Sequence, residues 1–104
     1  MFKFLKKSPT IPANDLVDRL KRKHILIDVR TPNEYYQGHI NTARNVPLDH
    51  IQNYSQKTDE TIYVICQSGM RSKKAARILK SNGYNVINVQ GGMNQWRGPI
   101  KRGK

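Results

Sequence analysis

Cysteine is almost absent from the sequence, since Cys66 is the only one among 104 residues. A single cysteine excludes a framework of internal disulfides and is typical of a protein in a reducing compartment. The three histidines, His24, His39 and His50, are scattered along the chain, and their spacing with Cys66 matches no metal site. The thiol is therefore either an inert core residue or a reactive group in its own right.

Long hydrophobic runs are absent as well. Hydrophobic residues make up 37% of the chain and the mean hydropathy is -0.74, and no segment approaches the roughly 20 apolar residues of a membrane-spanning helix. Residues 1–7 are basic but lack the apolar stretch and the cleavage site of a signal peptide. We expect a cytoplasmic protein with a single domain over residues 1–104, carrying basic tails at residues 1–8 and 100–104.

Acidic residues are few: 7 Asp and Glu stand against 19 Lys and Arg, for a formal net charge of +12. The positive residues gather at the N-terminus, at residues 19–23 and at residues 71–80. Such a surface is either solvated background or a means of attracting small anions, and a nucleic-acid interface is a third interpretation. Aromatic residues are only 8% of the chain and form no stacking pattern, which argues against nucleic-acid binding.

Short apolar runs alternate with segments of helical pattern along the chain. Runs rich in branched residues predict strands at residues 25–29, 62–65 and 86–89, and a further short strand is predicted at residues 43–46. Helices are predicted from Pro12, with Leu16, Val17 and Leu20 at helical spacing, then over residues 31–36, 48–54, about 73–81 and 92–97. The alternation predicts an α/β, three-layer domain with a mostly parallel central sheet flanked by helices.

Cys66 follows the apolar run 62–65 directly and opens a short loop that leads into a helix. Backbone N–H groups in such a loop have no partner inside the helix and carry partial positive charge, so they favour a thiolate. Gly69 allows the backbone to curl, and Arg71 adds a cation with several donors. The combination favours a reactive cysteine over an inert one at the end of a core strand.

The spacing of this loop separates two chemistries. Four residues lie between Cys66 and Arg71, whereas protein tyrosine phosphatases have five, enough to ring a phosphate. The shorter loop suits an added sulfur atom on Cys66 better than a phosphoryl group. The loop resembles that of the rhodanese (thiosulfate sulfurtransferase) family. Other segments resemble that family's signatures in the same order: Ile27-Asp28-Val29-Arg30, Glu34-Tyr35, Gly38-His39-Ile40, Asn45-Val46-Pro47, and Gly91-Gly92-Met93 with Trp96. Gln67 departs from the family, in which many members have Arg at that position.

The resemblance covers nearly the whole chain and implies an activity. Cys66 would take a sulfur atom from a small anionic donor such as thiosulfate and pass it, as a persulfide, to a thiol or protein acceptor. Loop groups would bind the donor and the persulfide, with Arg71 offsetting anionic charge; these substrate-binding residues are Gln67, Ser68, Gly69, Met70, Arg71 and Ser72. No cofactor and no metal are implied.

Other polar residues are expected to support the loop. Asp28, Arg30 and Glu34 are close in sequence and of mixed charge, so we expect an ion-pair network that holds the loop, although direct substrate contact is the alternative. His39 is expected to hydrogen-bond backbone in a turn, with a role as general base as the alternative. Trp96 is expected to pack in the core.

Three other functions use the same residues. A phosphatase or an arsenate reductase would use Cys66 and Arg71, but the loop is short for the first and the second redox cysteine of many reductases is missing. A non-catalytic interaction module would not need an intact Cys-to-Arg loop. A sulfur-relay protein, with little thiosulfate turnover and fast transfer to one protein, lies between an enzyme and a module.

Overall fold

A computed structural model describes residues 9–104. Five parallel strands form one sheet in the order β1-β5-β4-β2-β3: β1 (Thr10–Pro12), β2 (Ile25–Asp28), β3 (Arg44–Asn45), β4 (Ile62–Ile65) and β5 (Val86–Gln90). The helices are α1 (Ala13–Arg19), α2 (Pro32–Gln37), α3 (Met70–Ser81) and α4 (Gly92–Gln95), with a 3₁₀ helix at Leu48–Asn53. The predicted α/β class with a parallel central sheet is confirmed.

Each face of the sheet packs against its own set of helices. Successive residues of β4 point to opposite faces, so Val64 joins a core with α3 and the 3₁₀ helix, while Ile65 joins a core with α1 and α4. Both residues are fully buried, and burying such a side chain contributes about 1.5–3 kcal/mol. This two-sided burial explains why the strand is apolar throughout and gives the predicted three layers.

The first strand was not predicted. Thr10–Pro12 pairs with β5 at the edge of the sheet, where a proline is tolerated because its missing N–H is not needed. The helix therefore begins at Ala13 rather than at Pro12. Val17, expected on the apolar face of this helix, is 40% exposed, whereas Leu16 is fully buried.

Helix α3 begins three residues earlier than predicted. Gly69, with φ of +105°, turns the chain, and Met70 is already helical. Arg71 and Ser72 therefore lie in the first turn of α3, not in a loop ahead of it. The helix ends at Ser81 and is followed by Asn82 and Gly83, as predicted.

The last residues of the chain are hydrogen-bonded to the segment after α2. Lys101 and His39 exchange N–H···O bonds of 2.7 and 2.9 Å, and the N–H of Gly103 donates to the carbonyl oxygen of Tyr36. Residues 101 and 103, expected in a basic tail, are thus tied to the body of the fold, while the expected tail at residues 1–8 falls outside the described residues. None of the helices within residues 9–104 is long and apolar enough to cross a membrane.

Candidate active site

The carboxyl ends of the parallel strands bring the chemistry-bearing residues to one edge of the sheet. Cys66 follows β4, Arg30 lies two residues after β2, and Gly91 follows β5. Helix α3 starts at this edge because it follows the Cys66 loop directly. This is the edge at which open α/β sheets carry their functional crevice.

The Cys66 thiol is fully buried and surrounded by hydrogen-bond donors. The N–H of Gly69 donates to Sγ at 3.0 Å, and Ser72 Oγ lies 3.3 Å from Sγ and 3.2 Å from the carbonyl oxygen of Gly69. Burial alone raises the pKa of Cys66, but hydrogen bonds from the Ser72 side chain and from the backbone of Ser72, Gly69 and Ser68 outweigh it and lower the pKa below its ordinary value. The geometry therefore favours a thiolate.

Helix α4 holds the loop from the other side. The N–H groups of Met93 and Asn94 donate to the carbonyl oxygens of Cys66 and Gln67 at 2.8 and 2.9 Å. The approach is close enough to require a glycine, because a Cβ on Gly92 would lie 2.2 Å from the Cys66 oxygen. Sequence reasoning gave Met93 and Asn94 no part in holding the loop.

Asp28 and Arg30 form a buried ion pair beneath the loop. The Arg30 guanidinium donates to both Asp28 oxygens, with Nη2 2.8 Å from Oδ2. Its remaining donors reach the carbonyl oxygen of Gly38 at 2.7 Å and Gln67 Oε1 at 3.1 Å, and Gln67 Nε2 donates to Asn94 Oδ1 at 2.7 Å. An unbroken chain of hydrogen bonds therefore runs from β2 through Gln67 to α4.

Glu34 and Arg71 form a second ion pair beside the loop, with side-chain exposures of 32% and 36%. The two terminal nitrogens of Arg71 donate to the two Glu34 carboxylate oxygens at 2.7 and 2.9 Å. The hydrogen bond from Arg71 is the largest influence on Glu34 and, aided by Thr31, lowers the pKa of Glu34 to about 2. The bond with Glu34 likewise raises the pKa of Arg71, to which the charge of the Cys66 thiolate adds.

The other predicted loop residues lie at the surface. The side chains of Ser68 and Met70 are exposed, Met70 to 74%. Ser68 acts on the thiol through its backbone N–H and not through its side chain, and this hydrogen bond helps to lower the pKa of Cys66. Met70 stands at the start of α3 as an exposed apolar group and does not pack into the core.

An open cavity of about 730 Å³ adjoins the loop. Arg30, Glu34 and Gln67 line its polar wall, and Met93, Trp96 and Ile100 line an apolar one. Sequence reasoning did not assign Ile100 to this site, because the residue reaches it only through the hydrogen-bonded C-terminal segment. Trp96 also packs against the core beside α1 and α4, as predicted.

The histidines are not placed to act on Cys66. His39 is buried, its Nδ1 lies 2.8 Å from the carbonyl oxygen of Tyr35, and its ring stacks on that of Tyr35. This is the expected backbone hydrogen bond. His24 contacts Arg22 and Thr42 at the surface, and within residues 9–104 no three His, Cys, Asp or Glu side chains converge as metal ligands would.

The chain is similar in sequence and in fold to known proteins. The Uncharacterized protein YqhL of Bacillus subtilis (strain 168) is 45% identical over 86 residues, covering 80% of this chain and 68% of that protein. The adenylyltransferase and sulfurtransferase uba4 of Ogataea parapolymorpha is 38% identical over 80 residues, covering 73% of this chain but only 21% of that protein. The crystal structure of a rhodanese-like domain protein from Staphylococcus aureus superposes with a TM-score of 0.85 at 31% identity, covering 92% of this chain and 99% of that chain.

A protein-family model matches most of the chain. The model described as "Rhodanese-like domain" matches residues 12–99, a range that includes the Cys66 loop, both ion pairs and the α4 residues that hold the loop. The chain therefore belongs to the rhodanese-like domain family.

Proposed function

We propose that the protein is a sulfurtransferase that carries sulfane sulfur as a persulfide on Cys66. The observation that carries the proposal is the buried Cys66 sulfur, which receives the Gly69 N–H at 3.0 Å and lies 3.3 Å from the Ser72 hydroxyl. These donors lower the thiol pKa, and a thiolate is the form that attacks sulfur. The name of the uba4 relative includes sulfur transfer, which supports the same chemistry.

The loading step is a displacement at sulfur. The Cys66 thiolate attacks the outer sulfur of the donor and forms an S–S bond, while the bond between that sulfur and the rest of the donor breaks. With thiosulfate, the electron pair leaves on sulfite. A second nucleophile then takes the outer sulfur from Cys66 and regenerates the thiolate, so the cycle is covalent catalysis in two steps.

Ser72 and Gly69 have distinct roles in this cycle. The Gly69 N–H is fixed at Sγ by the backbone. The Ser72 hydroxyl, which lies within reach of both the Gly69 carbonyl oxygen and Sγ, donates to Sγ when Cys66 is ionised and releases it when Cys66 is protonated. The site thus offers one fixed donor and one that follows the charge on sulfur.

The acceptor is a thiol or a protein that enters the cavity beside Gln67. Cys66 must remain reduced to act, which fits a cytoplasmic location. A sulfur relay to one protein partner is the form of this function that the uba4 relative favours, because there the matched segment is 21% of a longer chain whose name also includes adenylyl transfer.

Mass spectrometry of the intact protein tests the proposal. After incubation with thiosulfate or an alkyl persulfide, the wild type should gain the mass of one sulfur atom, which cyanide or dithiothreitol removes. Cys66→Ser should fold and gain none. Absence of the gain with both donors, or an equal gain in Cys66→Ser, would contradict the proposed function.

A further inference from the structure

We infer that Glu34 sets the donor preference of Cys66, selecting sulfur carried by a thiol, as a persulfide, over a small dianion such as thiosulfate. The inference rests on the proposed function and specifies its donor. It depends on how the two arginines beside the loop are already bound, and on the walls of the cavity that adjoins the loop at Gln67.

Glu34 already occupies the face of Arg71 between its two terminal nitrogens. Nη1 and Nη2 each donate to a different Glu34 oxygen, at 2.7 and 2.9 Å, which is the bidentate arrangement that an incoming oxyanion would itself require. Thr31 fixes the carboxylate from the other side, because its N–H donates to Glu34 Oε1 at 3.0 Å as part of the helix cap. To bind Arg71 through the same two nitrogens, a dianion would have to displace a held carboxylate.

Arg30 is engaged in the same way. It is 3% exposed, and each of its three guanidinium nitrogens donates to Asp28, Gly38 or Gln67. Each of the two arginines nearest the loop is therefore neutralised by a carboxylate. Glu34 itself lines the cavity, so a dianion that approaches Arg71 also approaches the Glu34 carboxylate.

The other wall suits the carbon part of a thiol. Met93, Trp96 and Ile100 present apolar surface, and inorganic thiosulfate makes no use of it. Arg97 is exposed on this wall and has no carboxylate partner among the residues that the structure describes, so it can pair with a carboxylate on the carrier of a larger donor.

The corresponding step balances without an oxidant. The Cys66 thiolate attacks the outer sulfur of R–S–SH, the new bond forms between Cys66 Sγ and that sulfur, and the R–S bond to it breaks. The electron pair leaves on R–S⁻, and the proton stays on the transferred sulfur or passes to solvent. Cys66 gains one sulfur atom, as it does from thiosulfate.

The test is the ratio of kcat/KM for thiosulfate to kcat/KM for the persulfide of 2-mercaptoethanol, whose carrier is uncharged. In the wild type the ratio should be below one. Glu34→Gln keeps the size and the acceptor for Thr31 but releases Arg71, and we expect the ratio to rise about tenfold. The pair is half-exposed, so this variant should fold.

Glu60→Gln is the matched control. Glu60 also pairs with a cation, Lys23, at 2.9 Å, but it lies at the opposite end of β4 from Cys66. It changes the net charge by the same amount, so a ratio unchanged here separates a local effect from general attraction of anions.

The outcomes separate the two proposals. A wild-type ratio above one, or a ratio that Glu34→Gln leaves unchanged or lowers, overturns the role of Glu34 while sulfur loading stands. A tenfold rise in both Glu34→Gln and Glu60→Gln would also overturn it, in favour of net charge. If neither donor loads Cys66, the proposed function itself fails.

Discussion

The two ends of the parallel sheet use the same kinds of residues in different ways. At the carboxyl end, the Asp28–Arg30 pair is almost completely buried, with side-chain exposures of 0% and 4%. At the amino end, Lys23 pairs with Glu60 at a similar distance, but Lys23 is 86% exposed. An exposed pair contributes about 0–1 kcal/mol, whereas breaking a buried one leaves a charge without solvent. Burial therefore decides which pair the fold depends on.

Glycines and serines also differ between the two ends of the sheet. Gly92 at the carboxyl end and Gly83 at the amino end both have positive φ, but a Cβ at Gly92 would strike the Cys66 oxygen, while nothing lies within 4 Å of one at Gly83. Ser72 at the start of α3 and Ser81 at its end each donate to the carbonyl oxygen three residues earlier, yet only Ser72 also contacts the thiol. Of these four residues, only the two at the carboxyl end contact the Cys66 loop.

Breaking the buried pair should have the largest effect. Asp28→Asn leaves the Arg30 guanidinium buried without its counter-charge and should lower the free energy of unfolding by about 3–5 kcal/mol. Glu60→Gln at the amino end should cost at most about 1 kcal/mol. Urea denaturation of both variants measures the difference, and equal midpoints would mean that the comparison between the two ends is wrong.

The glycines should give the next largest difference. Gly92→Ala combines a strained φ of +55° with contact to the loop backbone, so we expect a loss of about 3 kcal/mol and weak sulfur loading of Cys66. Gly83→Ala has the strain without the contact and should cost about 1–2 kcal/mol with normal loading. Thermal unfolding and intact mass report the two effects, and normal loading in Gly92→Ala would show that the loop tolerates displacement.

The two serine variants should differ in the rate of sulfur loading more than in stability. Ser72→Ala removes a donor to the Cys66 thiolate, so the pKa of Cys66 should rise and the loading rate at neutral pH should fall about tenfold. A thiolate forms only above its pKa, so the rising limb of the pH–rate profile should move to higher pH. Ser81→Ala, which has no contact with Cys66, should leave the profile in place. Coincident profiles for the wild type and Ser72→Ala would remove Ser72 from the mechanism.

Local pattern was enough to predict most of the architecture. The strand at residues 62–65 and the end of α3 at Ser81 were predicted at the residues where they occur, because branched apolar runs and an Asn-Gly stop are local signals. The edge strand Thr10–Pro12 was missed because three residues that include a proline carry no such signal, and only pairing with β5 defines them. The start of α3 was placed late because the turn at Gly69 depends on contacts with the loop around it.

The candidate site likewise has a part that local sequence predicts and a part that only the structure shows. Its candidate nucleophile, Cys66, and the neighbours Gly69, Arg71 and Ser72 lie within seven residues, so their types and spacing could single them out. The partners of these residues come from distant segments: Glu34 lies 37 residues from Arg71, and Asn94 lies 27 residues from Gln67. No local pattern reports which of several carboxylates an arginine will meet.

The sequence by itself determined the alternation of strands and helices, and the loop of backbone donors that follows Cys66, because each depends on neighbouring residues. The tertiary structure alone decided that Glu34 binds Arg71, that the Asp28–Arg30 pair is buried, and that α4 and the C-terminal segment line the cavity. The physical reason is that charge pairing and burial depend on distance in space, which the packing of the sheet and its helices sets.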